Sequence, residues 1–155
     1  MSNDAYVLAP GGGRTLDMGP FRMNVKLAGA QTGDALTLLE AEEPPGFGPP
    51  MHVHDDASEG FYVLSGEYIV FIEQEEHRCP AGTFVWLPAG IEHGFRVGTS
   101  HSRKLNIYLP AAMEGYFDAL VASASAGIAM SDGDLMALAA RHAMRVTGPV
   151  PDGYV

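Results

Sequence analysis

His52-Val53-His54-Asp55-Asp56-Ala57-Ser58-Glu59-Gly60-Phe61-Tyr62-Val63-Leu64-Ser65-Gly66 is the stretch on which the reading of this chain turns. His52 and His54 are two residues apart, and in a strand such residues point to the same face. Asp55-Asp56-Ala57-Ser58 makes a short acidic turn. Glu59 then opens a run of aromatic and β-branched residues, so its carboxylate can return to the interior the two imidazoles face. Further on, Pro88-Ala89-Gly90 signals another turn, and His93 follows it. Three imidazoles and a carboxylate suit Zn, Fe, Mn, Ni, Co or Cu and not a calcium cage. His52, His54, Glu59 and His93 are therefore the expected ligands of one divalent transition metal.

Working outward, short strand-like runs flank this stretch on both sides. Arg22–Leu27, Leu36–Glu42, Phe61–Leu64, Tyr68–Glu73, Thr83–Leu87, Gly94–Val97 and Leu105–Leu109 alternate or carry β-branched and aromatic residues. Pro/Gly-rich turns separate them, and many short strands at regular spacing predict an all-β sandwich or barrel. Residues 9–20, with Gly11-Gly12-Gly13, read as a loop after a short strand at Tyr6–Leu8; no Gly-Lys-Ser/Thr follows to make a phosphate cradle. After Pro110 the period becomes helical. Met113, Tyr116, Phe117, Leu120 and Val121 form one apolar stripe, read as packing surface or dimer contact, and Ser131 with Asp134 makes a capping box for a helix through about Arg141. The expectation is one domain over 1–155, with a barrel at about 20–110 and a helical segment at about 111–143 on its outside or on a partner chain.

At these residues the chain resembles the cupins. Their first motif is matched by Gly46, His52-Val53-His54, Glu59 and Gly66, and their second by Gly82, Pro88-Ala89-Gly90 and His93, with every spacing met. One departure is Val97, where the second motif closes on Asn. The resemblance implies a double-stranded β-helix, or jelly-roll barrel, with a metal inside it. The segments Pro49–His54 and Glu59–Glu67 look like small cupins related to quercetin 2,3-dioxygenase. That implies a redox-active metal, an apolar or aromatic substrate of flavonol or polyketide type, and O₂ addition with ring cleavage, with Glu59 as ligand and catalytic proton acceptor. Small cupins also include zinc-dependent polyketide cyclases and isomerases, in which the metal polarises a carbonyl, and ligand-binding domains without catalysis. Homodimers through the outer sheet are common among them.

Parity along the strands places Phe61 and Val63 on the face of Glu59, and Phe95 on that of His93, as walls of a dry substrate pocket. Trp86 has the opposite parity and is expected between sheets or at a subunit contact. His77, His101 and His142 match no motif and read as solvated. Asp55 and Asp56 read as a solvated turn, and Cys79 as a buried, inert thiol.

The totals narrow the function classes. Hydrophobic residues make up 46% of the 155, which excludes a disordered chain. The net charge of −10, from 19 acidic and 9 basic residues, would repel phosphate backbones and anionic lipid, so neither nucleic acid nor a membrane is an expected partner. One cysteine allows no intrachain disulfide, and the polar start Met1-Ser2-Asn3-Asp4 lacks the pattern of a secretory signal; a cytoplasmic location is expected.

Overall fold

A computed structural model describes residues 4–151. Among them are the strands β1 (Arg14–Asp17), β2 (Arg22–Leu27), β3 (Thr37–Glu43), β4 (Met51–His54), β5 (Ser58–Ser65), β6 (Glu67–Ile72), β7 (Glu75–Pro80), β8 (Phe84–Leu87), β9 (His93–Val97) and β10 (Ser102–Leu109). The helices α1 (Glu114–Ser125) and α2 (Asp132–Arg141) follow, and β11 (Met144–Gly148) closes the described chain. The strands form two antiparallel sheets with orders β1-β2-β3-β10-β5-β8 and β11-β4-β9-β6-β7. Their inner faces meet in an apolar core that includes Phe61, Val63, Val70, Val85, Leu87 and Phe95. This is the jelly-roll arrangement expected, with helices after the main run of strands.

Tight turns set the register. Gly66 joins β5 to β6 with φ of 74°, and a Cβ there would overlap the Ser102 side chain. Gly90, at φ of 87°, donates its N–H to His54 O at 2.8 Å and so ties the turn before His93 to the strand carrying the other two imidazoles.

Four parts differ from expectation. Tyr6–Leu8 form no strand; their side chains are exposed, and the Tyr6 hydroxyl donates to Lys26 O at 2.6 Å. β1 lies inside the segment read as loop, because pairing with β2 buries Leu16 despite the surrounding glycines. β7 has no counterpart among the expected strands: it is an edge strand, and an edge tolerates the charged run Glu75-Glu76-His77-Arg78. β11 follows the helices and pairs with β4, so the two sheets extend beyond residues 20–110 at both ends. The Ser131 capping box is present, with Asp134 N–H donating to Ser131 Oγ at 3.2 Å and Ser131 N–H to Asp134 Oδ2 at 3.0 Å. No helix of the described residues is long and apolar enough to cross a membrane.

The outer faces of the sheets differ. On the β4–β9–β6 side, Met51, Ile69 and Phe71 pack with Val150 of the chain's own C-terminal segment. On the β5–β8 side, Tyr62, Leu64, Phe84 and Trp86 are exposed, Phe84 by 56% and Trp86 by 48%. Trp86 therefore does not lie between the sheets.

Candidate metal centre

His52 and His93 are direct cross-strand partners on β4 and β9, with ring centroids 4.4 Å apart. His54 lies two residues along β4 on the same face. Glu59 comes from the opposite sheet, where it pairs with Tyr108 on one side and Leu87 on the other. One sheet thus presents three imidazoles and the other presents the carboxylate between them. All four residues are buried, and their ligating atoms lie within 4.8 Å of one another. That is close to the span of donors around one ion with bonds of about 2.1 Å.

Hydrogen bonds orient the donors. His52 Nδ1 donates to Pro50 O at 2.8 Å and His93 Nδ1 to Ile91 O at 2.9 Å, which turns the Nε2 atoms inward. Glu59 Oε2 lies 3.1 Å from His54 Nε2 and 3.0 Å from His93 Nε2, while Oε1 accepts from Asn106 Nδ2 at 2.7 Å. Burial holds the His52 imidazole down to about 4, with the neighbouring His93 adding to the effect, so its lone pair stays available at neutral pH. Burial disfavours the Glu59 charge, but the hydrogen bonds from His54 and His93 outweigh it and hold the carboxyl well below its ordinary range. Burial also opposes charge on His93, and contact with Glu59 overcomes it, raising that pKa. Tyr108, buried beside the Glu59 charge, is pushed far up and keeps its proton. Three buried imidazoles with two of them oriented through Nδ1, and an ionised carboxylate between two of the rings, make a mixed nitrogen and oxygen donor set of the kind a transition metal takes, so the residues fit one.

A cavity of about 110 Å³ opens beside the cluster. Phe61 and Phe95 line it as the parity argument expects; Val63 does not, and packs in the core behind them. Met113, Tyr116 and Phe117 also contribute to the wall. Part of the apolar stripe thus faces the cavity, while Val121 packs on the core cluster of Leu16 and Met23 and Asp118 of α1 pairs with Arg14 of β1. Glu43, Lys104, Asn106 and Tyr108 face the cavity as well, and none follows from the histidine motifs. The available signal was parity on β10: Tyr108 pairs with Glu59, Asn106 with Phe61 and Lys104 with Val63.

The remaining sequence candidates lie elsewhere. His77 and His101 are exposed, but His142 is half-buried with its ring edge-on to Tyr116 at 6.1 Å. Asp55 is exposed and ion-paired with Arg145 at 2.8 Å, and Asp56 is exposed. Cys79 is buried in the core, where burial pushes its thiol pKa up. Val97 is fully buried in the same core and donates its N–H to Phe47 O, away from the ligand cluster.

Residues 39–107 match the family model described as Cupin domain. This stretch of the chain is similar to the cupin domain. Among curated relatives, it is 26% identical over 115 residues to quercetin 2,3-dioxygenase of Bacillus subtilis (strain 168); the match covers 74% of this chain and 34% of the relative, so the chain spans about a third of that protein. Among solved structures, this chain superposes on KdgF from Halomonas sp. with a TM-score of 0.61 at 17% identity, covering 69% of this chain and 94% of that one. It superposes on the polyketide cyclase RemF from Streptomyces resistomycificus with a TM-score of 0.60 at 18% identity, covering 68% and 80%. At these identities the likeness is one of fold.

Proposed function

We propose that this cupin is a metal-dependent enzyme acting on a small apolar or aromatic substrate, and that its reaction is an O₂-dependent dioxygenation of an enolic ring compound. The observation that carries the reading is the four-residue ligand cluster opening directly onto a cavity walled by Phe61 and Phe95. The likeness to quercetin 2,3-dioxygenase supports the choice of oxygen chemistry. Held by His52, His54, Glu59 and His93, a redox-active divalent metal would supply one-electron exchange between substrate and O₂. The protein's own part is positional. The two phenylalanines and the α1 stripe exclude water and align a flat ring. Glu59 accepts the proton of the substrate's enol, and Asn106 keeps that carboxylate from turning away. Tyr108 keeps its proton and so does not compete as a base. O₂ is the oxidant, and both of its atoms enter the product.

The cavity's size restricts the substrate. About 110 Å³ is below the few hundred Å³ of most drug-sized pockets, so it suits a single ring. A three-ring flavonol needs α1 to give way. Metal analysis of the purified chain, with O₂ uptake measured on a flavonol and on a one-ring enol, tests the proposal. Bound Fe, Ni, Cu, Mn or Co with O₂ consumption is the expected result. Tightly bound zinc with anaerobic turnover would replace it with a cyclase or isomerase. Failure to bind any metal would leave a ligand-binding cupin.

We also propose that a second copy of this chain covers the exposed β5–β8 face, making a homodimer. That face carries uncovered aromatic side chains, and among the described residues it ends at β8, an edge strand that another β8 could meet. Light scattering should give twice the 16.5 kDa chain mass, and Trp86→Glu should give the chain mass itself. A monomeric wild type sinks this assignment.

A further inference from the structure

Lys104 is 2% exposed, yet it faces the cavity. Its Nζ donates to Glu43 Oε2 at 2.5 Å, and the same oxygen accepts from Tyr68 OH at 2.8 Å. Around the ammonium stand the rings of Phe95, Tyr68 and Phe61, with centroids 4.0, 4.7 and 5.6 Å from Nζ. An ammonium carries three N–H donors, and among the described residues Glu43 is its one hydrogen-bond acceptor. Lys104 sits two residues along β10 from Asn106, about 7 Å of strand from the residue that holds Glu59. The Phe61 ring lies between the two ends, 6.5 Å from the His93 ring. The cavity therefore has two polar ends joined by an aromatic wall.

The far end offers a donor and an acceptor side by side. A carboxylate there would meet the charge of Glu43, and an ammonium would meet that of Lys104. A hydroxyl, which both donates and accepts, meets neither difficulty. We infer that Lys104 and Glu43 form a subsite that selects ring substrates carrying a hydroxyl on the edge remote from the metal ligands, with Lys104 donating to its oxygen and Glu43 accepting its proton in a hydrogen bond. The inference rests on the proposal above that the cavity receives a small ring. It adds the polar group which that ring must carry and makes Lys104 and Glu43 specificity-determining residues.

The test is isothermal titration of the zinc-loaded full chain with 4-hydroxybenzoate and with 4-methylbenzoate, which have nearly the same shape and differ in the hydroxyl. Wild type should bind the hydroxy compound at least about tenfold more tightly, the scale of a hydrogen bond to a charged group. In the triple variant Lys104→Met/Glu43→Leu/Tyr68→Phe, which leaves no polar partner orphaned, the two probes should bind equally while one zinc per chain is retained. Equal affinity in wild type, no binding of the hydroxy compound at millimolar concentration, or a preference that survives in the folded variant overturns the inference. The wild-type comparison stands even if the variant does not fold. A chain that takes up no zinc overturns the metal reading alone, because the hydroxyl preference can then be read on the zinc-free protein with 4-methylphenol and 1,4-dimethylbenzene, which carry no carboxylate to meet Glu59.

Discussion

His54→Ala should abolish stable metal binding while the barrel stays folded. Changing a residue that only orients a metal ligand typically costs 10–100-fold in affinity, so removing a direct ligand should cost more than about 100-fold. Dialysed His54→Ala protein should then carry almost no metal where wild type carries one ion. Nothing in the pairing of β4 depends on this imidazole: the strand hydrogen-bonds through its backbone to β11 and β9. Glu59 loses one contact and keeps His93 on Oε2 and Asn106 on Oε1, so no buried carboxylate is orphaned. Far-UV circular dichroism should therefore match wild type. Elemental analysis and the spectrum together decide the matter. A metal-free, unfolded variant would mean that the ion is a structural clamp between the sheets, and a fully loaded variant would mean that His54 is not a ligand.

The second large effect is on stability. Glu43→Ala should lower it by about 3–5 kcal/mol, because Lys104 then keeps a buried charge with no counter-ion and Tyr68 loses its acceptor. For a chain of this size that is a fall in Tm on the order of 10 °C. Removing the whole polar group together should cost far less, since an apolar replacement of a buried pair is often neutral. Thermal unfolding of Glu43→Ala beside the triple variant separates the two cases. A loss under about 1 kcal/mol for Glu43→Ala would show that water reaches the ammonium.

The sheets, the convergence of the four candidate ligands and part of the cavity wall were legible because they rest on local rules. Spacing of two puts His52 and His54 on one face, turn residues mark the entry of His93, and the stripe Met113–Val121 has a helical period. β7 and β11 were not legible, because pairing with a neighbour makes them strands and their own composition does not. Val63 shares the parity of Phe61 and still misses the cavity, because parity assigns a face and not a depth along it.

β10 shows the division most clearly. Lys104-Leu105-Asn106-Ile107-Tyr108 alternates without ambiguity, and hydrophobicity alone would turn Leu105 and Ile107 inward. The fold does the reverse: Lys104, Asn106 and Tyr108 are buried, and Leu105 and Ile107 are only half-buried on the outer face. Glu43, Glu59 and the aromatic rings are what make this tolerable, since each buried polar group meets a partner from another strand. Local spacing could say that four side chains converge on an interior capable of holding a metal. That this interior has a charged far end, and that Tyr116 and Phe117 of α1 help to wall it, depends on contacts between residues distant in the chain, which only the assembled sheets bring together.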